Sequence, residues 1–407
     1  MTVQQLSACR TRLEAYLDEM LAPLGRKDRR HWGQVYVRGL LLDGERKSVG
    51  AMVSRLPEGE EQSLQPFVSQ SPWPWEPVWE RLAAAARRQK GEAFWIVDDT
   101  SFPKKGEHSV GVQRQYCGAW GKLANCQVAV SLHQAGRTGS WPLAGRLYLP
   151  ESWTEDQKRR ACVGIPQDLT FHTKWELALQ LIDQARAWGL PDRPVLADAD
   201  YGDRGEFRTG LEQRGLSYVV GITSQLVVWA QPPRPRVPRR RGPGPAPKRL
   251  RYENEAPESV KALAPRNETR FRKVTWREGT KGAMSSRFGA QRVQTAHHWQ
   301  LGQEPGPAVW LLVEGPADEP EPTQYFLCDL PGHTSVRRLV RMAKSRHWIE
   351  QDYQPMKEEL GLDHFEGRSW NGWHHHVTLV MLAYGFLQRE RRRRRDKSRL
   401  DAAAPAA

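Results

Sequence analysis

PVLADADYGDRGEFRTGLEQRGLSYVVGI, residues 194–222, carries the alternation that decides the fold. Residues 194–197 are a short apolar run closed by acids, which predicts a buried strand ending at Asp198. Apolar positions then recur at helical spacing over 204–214, and a second apolar run fills 216–222. Strand, helix and strand in succession predict an α/β sheet covered by helices. The pattern extends upstream. Residues 94–97 form another apolar run ending in two aspartates, and CQVAVSL (126–132) and 145–149 read as further strands. Residues 173–189 have helical periodicity through Trp175, Leu177, Leu179, Leu181, Ile182 and Ala185, and stop at Gly189. Before residue 91 the reading is helical, with Leu13, Leu17 and Leu21 at helical spacing. SPWPWEP (71–77) is a proline-interrupted connector to a helix over 78–88.

Downstream, QPPRPRVPRRRGPGPAPKRLR (231–251) breaks the sheet pattern, because proline and arginine build no packed core. It reads as a basic flexible loop inside a strand-rich insertion, with strands over 270–276, 290–301 and 308–313 and a last one at 325–327. Helices resume near 335 and run to about 390, and RERRRRRDKSR (389–399) is a like-charge block expected to be solvated and to contact DNA backbone. The expected organisation is an N-terminal helical DNA-binding domain (1–90), a first core segment (91–223), a β-rich insertion (224–324), a second core segment (325–390) and a basic disordered tail (391–407).

The 407 residues suffice for two or three domains. Lys plus Arg exceed Asp plus Glu by 61 to 47, a formal charge of +14, which favours a polyanionic partner. The bland counterpart is a basic protein with a solvated Arg-rich surface. Five cysteines (Cys9, Cys117, Cys126, Cys162 and Cys328) form no C-x2-C pair, which argues against a zinc ribbon or a disulfide framework. No apolar signal core opens the chain, and the longest apolar run, 377–387, is shorter than the roughly 20 residues of a membrane span. The expectation is a cytoplasmic protein with no membrane partner.

The chemistry-bearing residues sit in three places. Asp98 and Asp99 follow the 94–97 strand, Asp198 closes the 194–197 strand, and Arg346, Glu350 and Lys357 are spaced R-x3-E-x6-K. On a helix advancing about 100° per residue these last three fall within about 40° of one another, on one face. Carboxylates at strand ends supply the hard oxygen donors of a divalent cation, and flanking cations suit a phosphodiester substrate. Taken singly, an Asp closing a strand is more often a turn or cap residue, and a lone helical Glu is more often solvated. Asp98 and Asp99 point to opposite faces of a strand, so one of them can face a given metal site. Asp200, on the same strand face as Asp198, or Asp203 could substitute for Asp198, and Pro355 removes one helix hydrogen bond between Glu350 and Lys357. Consecutive His374, His375 and His376 splay around a helix, which favours packing or DNA contact over zinc ligation. Trp229, Trp276 and Trp299 could stack on a displaced base, with core packing as the simpler assignment.

At these motifs the chain resembles the DDE transposases of bacterial insertion sequences, the group with an RNase H-like core, a β-strand insertion and a Y-x2-R-x3-E-x6-K signature. Arg346, Glu350 and Lys357 match the signature, with Ala343 in place of the tyrosine. Asp99–Thr100 matches the group's strand-D-T and Asp198 with Tyr201 its D-x-x-Y. ERKSVGAM (45–52), VGVQRQYCG (110–118) and GLDHFEGRSW (361–370) extend the likeness. The resemblance implies that Asp99, Asp198 and Glu350 are catalytic and bind two divalent ions, Mg2+ or Mn2+. It also implies that Arg346 and Lys357, with Lys104 and Lys105, hold DNA phosphates. The implied activity is binding of inverted-repeat ends in double-stranded DNA, metal-dependent cleavage, and joining of the 3′-OH to target DNA by a synaptic homodimer at the bacterial nucleoid. A stand-alone metal nuclease on the same fold, or a DNA-binding derivative without catalysis, are the competing readings.

Overall fold

The computed structural model describes residues 2–87, 91–136, 139–231, 234–236, 251–253, 257–264, 271–279, 282–296, 306–316, 318–319 and 321–403. Helices α1 (Val3–Leu21), α2 (Lys27–Leu41), α3 (Val49–Val53), α4 (Glu61–Ser69) and α5 (Glu76–Arg87) open the chain. Strands β1 (Ala93–Pro103), β2 (Gln113–Cys117), β3 (Lys122–Gly136) and β4 (Gly139–Leu147) follow, then helices α6 (Glu151–Glu155), α7 (Gln157–Val163) and α8 (Lys174–Ala187). Next come β5 (Val195–Ala197), α9 (Ala199–Gly202), α10 (Gly205–Gln213), β6 (Tyr218–Ile222), β7 (Val227–Trp229), β8 (Arg234–Arg236), β9 (Arg251–Glu253), β10 (Glu258–Ser259) and α11 (Val260–Leu263). The chain continues with β11 (Arg272–Gly279), β12 (Gly282–Thr295), β13 (Ala308–Glu314) and β14 (Gln324–Cys328), and ends with α12 (Val336–Lys344), α13 (His347–Glu358) and α14 (Trp370–Ala403). Two compact units result, one from Met1–Asp192 with Trp348–Ala407, the other from Arg193–His347. The fold is the mixed α/β class expected of an RNase H-like core, with sheet flanked by helices and a β-rich segment inserted before the last helices.

In the first unit the long strand β3 is the spine. β1 pairs antiparallel with β3 along its whole length, while β2 and β4 pair with successive parts of β3. Two helix layers cover the sheet. On one face Arg146 of β4 reaches Gln180 and Gln184 of α8 at 3.2 and 3.3 Å, and Trp141 Nε1 donates to Leu82 O of α5 at 2.9 Å. On the other face His133 and Ser131 of β3 bond to side chains of α13. Sequence patterning explains the helix starts. Thr2 and Thr173 each close a capping box, with Gln5 and Glu176 three residues on, satisfying first-turn N–H groups of α1 and α8.

The N-terminal helices share their core with α14. Tyr16 Oη donates to Leu382 O at 3.0 Å, Arg12 pairs with Glu390, and Leu17, Val35, Leu64 and Leu382 are buried. The like-charge block continues α14 as far as Ala403, in place of the disordered tail expected from residue 391. Among the described residues no helix is long and apolar enough to cross a membrane.

In the second unit β5 and β6 run parallel, β6 pairs antiparallel with β14, and β13, β12, β7 and β10 extend the sheet with β11 on β12. Trp229 is buried in this sheet, and Lys344 of α12 lies 5.2 Å over the Trp276 ring. Both indoles are thus packing residues here. Trp299 and most of the 231–251 loop lie outside the described residues.

Candidate active site

Strand β1 carries the acid pair in an unbroken register. Asp98 stands opposite Ser131 and Asp99 opposite Val130. The Asp98 side chain is 7% exposed, and its Oδ1 accepts the Asp99 N–H at 3.0 Å. The Asp99 carboxylate forms an ion pair with Lys174 in the first turn of α8, an interaction of two partly exposed side chains. Nothing in sequence spacing pointed to Lys174. The capping box of Thr173 and Glu176 fixes where α8 starts, and with it where Lys174 lies, yet its partner is visible only once the sheet is assembled.

Helix α13 presents Glu350 on its exposed side and is pinned to the sheet by three side chains, Asp352, Tyr353 and Lys357. Asp352, 1% exposed, accepts from His133 Nδ1 at 2.7 Å and from Tyr384 Oη at 2.6 Å, and also from Ser140. Tyr353 Oη bonds Ser131 Oγ at 2.7 Å and donates to Asp98 O at 3.3 Å. Burial, then the Asp98 charge, pushes the Tyr353 phenol well above its ordinary range, so it is a neutral donor at neutral pH. Lys357 Nζ donates to Ser101 O at 3.0 Å and lies 5.7 Å over the Phe102 ring. Burial holds the Lys357 ammonium below its usual pKa. Pro355 sits inside α13 without ending it, and its carbonyl accepts from Glu359 and Leu360 N–H at the C-terminal turn.

Two sequence expectations need correction. Arg346 lies in the turn before α13, which starts at His347, so of the three only Glu350 and Lys357 lie in the helix. The cause is that α12 ends at Lys344 with Ser345 as its C-cap, and the chain turns before it coils again. Likewise Asp200 shares no strand face with Asp198, because β5 ends at Ala197 and Asp200 is in the first turn of α9.

Asp198 is the N-cap of α9. Its Oδ1 accepts the N–H groups of Asp200 at 3.0 Å and Tyr201 at 3.4 Å. The turn lies tight on β6: a Cβ at Gly202 would stand 1.8 Å from Gly221 O, so only glycine fits there. Asp203 Oδ1 accepts from Thr223 N at 2.9 Å, a turn-fixing role.

Of the flanking cations, Lys105 is exposed, whereas Lys104 is half-buried and donates to Phe365 O at 2.6 Å. Desolvation lowers the Lys104 pKa. His374, His375 and His376 are all buried and bonded to backbone carbonyls, His374 to Trp370, His375 to Val68 and Trp73, and His376 to Gly361. They are packing residues. Among the described residues, neither unit by itself gathers three His, Cys, Asp or Glu side chains into a metal-holding group. The oxygen donors available, Asp98 and Asp99 in β1, Glu350 in α13 and Asp198 at α9, have the hard chemistry that Mg2+ and Mn2+ select.

An acid pair in a long strand of an α/β sheet, with a glutamate on a helix packed against it, fits the RNase H-like class. Residues 19–283 match the family described as DDE superfamily endonuclease, more than half of the chain. The chain belongs to that family, as the motif resemblance implied. It is also similar to a protein of Microchaete diplosiphon described as a probable transposase for insertion sequence element IS701. The two are 30% identical over 193 residues, 47% of this chain and 48% of that protein. The chain thus spans about half the length of the curated relative it matches.

Proposed function

We propose that this chain is a transposase. It binds the inverted-repeat ends of an insertion sequence in double-stranded DNA, cleaves them with Mg2+ or Mn2+, and joins the 3′-OH ends to target DNA as a homodimer. The observation that carries this reading is the acid pair of β1 with the Glu350 helix bonded to the same strand segment, in a chain of the DDE endonuclease family. By motif position the metal acids are Asp99, Asp198 and Glu350. When bound, a divalent pair lowers the pKa of an attacking water or hydroxyl and offsets charge on the leaving oxygen. The protein's own part is to hold the carboxylates and the phosphate. Glu350 is held by the Asp352, Tyr353 and Lys357 contacts of its helix, and Lys105 and Arg346 are the cations proposed for backbone phosphates.

The test uses the purified chain and a duplex bearing the repeat that flanks its gene. Nicking and strand-transfer products are expected with Mg2+ or Mn2+, and binding without turnover with Ca2+. Full cleavage in EDTA would remove metal from the reading. Cleavage without any joined product would favour the stand-alone nuclease, and binding without cleavage the retired derivative.

The formal charge of +14 gives a second expectation. Log affinity should fall linearly with log salt, in proportion to the phosphates neutralised. Removing residues 391–407 keeps the Arg12–Glu390 pair and should flatten that slope for all duplexes alike, because an arginine run reads backbone and not bases. A truncation that altered sequence preference at constant slope would contradict this.

A further inference from the structure

We propose that the β2–β3 hairpin is a DNA-docking surface beside the scissile phosphate. Trp120, Tyr116 and Leu123 pack in the minor groove of the end duplex there, and Lys122 and Arg114 meet the flanking phosphates. The inference deepens the transposase reading above, rests on it, and concerns the first unit alone.

Clustered large apolar side chains left in water mark interaction surfaces more often than scattered ones do. Tyr116 is 60% exposed, Trp120 55% and Leu123 62%, all within eight residues. Tyr116 stands opposite Leu123 in the hairpin register, and exposed Arg114 is two residues before Tyr116, so the three share the outer face. The inner face is the packed one, where Cys117 and Ala124 are buried with Cys126 and Val128. Lys122 Nζ lies 5.8 Å from the centre of the Trp120 ring.

The tip is ordered before any ligand arrives. Trp120 N–H donates to Cys117 O at 3.0 Å, and Ala119 N–H to Ser101 Oγ at 2.9 Å. Cys117 Sγ donates to the same hydroxyl oxygen at 3.4 Å. Little ordering entropy is then lost on binding.

These bonds also fix where the surface lies. Ser101 is two residues past Asp99 on β1, about 7 Å along the strand. Its carbonyl accepts from Lys357 Nζ at 3.0 Å. At the base of the hairpin, Asn125 Nδ2 donates to Lys104 O at 3.0 Å and to Gly106 O at 2.9 Å. Asn125 thus ties down the turn that carries exposed Lys105. The apolar tip is held on the strand that supplies the acids, next to a cation proposed for phosphate.

Charge selects the partner. From residue 108 to residue 150 the chain has no Asp or Glu, while Arg114 and Lys122 flank the aromatic pair. Apolar side chains with Arg and Lys beside them are what minor-groove proteins present. A second copy of the chain is the poorer occupant. A whole aromatic side chain offers about 150–250 Å2, so three residues exposed by about 60% give at most about 450 Å2. A stable interface takes roughly 800 Å2 from each partner.

Trp120→Ala, Trp120→Phe and Lys122→Gln are compared with the wild type on end duplex in Ca2+, by gel shift across a salt series and by hydroxyl-radical footprinting. The cut is mapped with the wild type in Mg2+. Trp120→Ala should lose about tenfold in affinity, the cost of truncating a central interface aromatic, at an unchanged salt slope. Lys122→Gln should lower that slope by about one. In the footprint, Trp120→Ala should lose protection of the sugars beside the cut and keep it farther away, and Trp120→Phe should regain most of both affinity and protection. Wild-type affinity and footprint in Trp120→Ala, with a wild type that cuts, overturn this inference alone. Loss of protection along the whole duplex makes Trp120 a folding residue and overturns it too. A Trp120→Ala protein that turns a DNA-free dimer into a monomer, by light scattering, gives the surface to a second copy instead. A wild-type protein that neither protects nor cuts end duplex removes the transposase reading, and this inference with it.

Discussion

Glu350→Gln is expected to reduce cleavage of end duplex by at least about 100-fold while leaving gel-shift affinity within a few-fold of the wild type. Glu350 is exposed on α13, whereas the contacts that hold this helix belong to Asp352, Tyr353 and Lys357. The amide keeps the size and removes the charge, so the fold has no reason to change while a divalent ion loses an anionic oxygen. DNA affinity comes from the sum of many basic side chains, and removing one carboxylate does not lower it. Asp198→Asn makes a companion test. Asn is as good an N-cap as Asp, so the bonds to the N–H groups of Asp200 and Tyr201 persist and α9 stays formed. Its expected result is the same loss of cleavage with an unchanged melting temperature. A Glu350→Gln protein that cleaves at the wild-type rate takes Glu350 out of the chemistry. One that loses binding and cleavage equally makes it a structural residue.

The region that supplies these acids shows what a sequence can and cannot convey. Apolar runs ending in acids place β1 and β5, and the helical period with Thr173 and Glu176 places α8, because those signals are local. The opposed directions of Asp98 and Asp99 are also local, following from strand geometry. Which direction meets the Glu350 helix is not, since it depends on the pairing of Ser131 and His133 with α13 more than two hundred residues away in the chain. The R-x3-E-x6-K spacing suggested one helix for all three residues, and it holds for Glu350 and Lys357 but not for Arg346, where α12 has ended and a turn intervenes. Spacing alone does not report a helix boundary when no glycine or proline marks it. Strand β2, with its exposed polar residues and only Cys117 buried, carried no apolar run by which to find it.

Acidification is expected to unfold this protein through its three consecutive histidines. Burial pushes His374 down to about 3, and His375 and His376 each down to about 4. At His374 and His376 the neighbouring charges, Arg146, Lys104 and His364, push the same way, while the carbonyl acceptors of Trp370 and Gly361 oppose it. The neutral form fits the contacts of His376, whose Nδ1 meets Tyr36 Oη at 2.9 Å while its Nε2 meets Gly361 O. A histidine whose folded pKa is depressed binds protons first in the unfolded chain. Its stability is therefore complete above about pH 6.5 and is lost as pH falls below that value, until the folded pKa is reached. Each residue costs about 1.4 kcal/mol per pH unit in that window. Between pH 7.5 and 5.0 the three together remove on the order of 5 kcal/mol, comparable to the whole stability of many domains. Trp73 and Trp75 stack on His375 and His374, so tryptophan fluorescence reports this region directly. The urea midpoint should fall sharply from pH 7.5 to 5.0. In His374→Gln the fall should shrink by about a third, whatever the midpoint of that variant at pH 7.5, because one of the three titrations is gone. A midpoint that holds or rises at pH 5.0 would mean these rings are protonated in the fold, with His375 donating to both Val68 and Trp73 as an imidazolium.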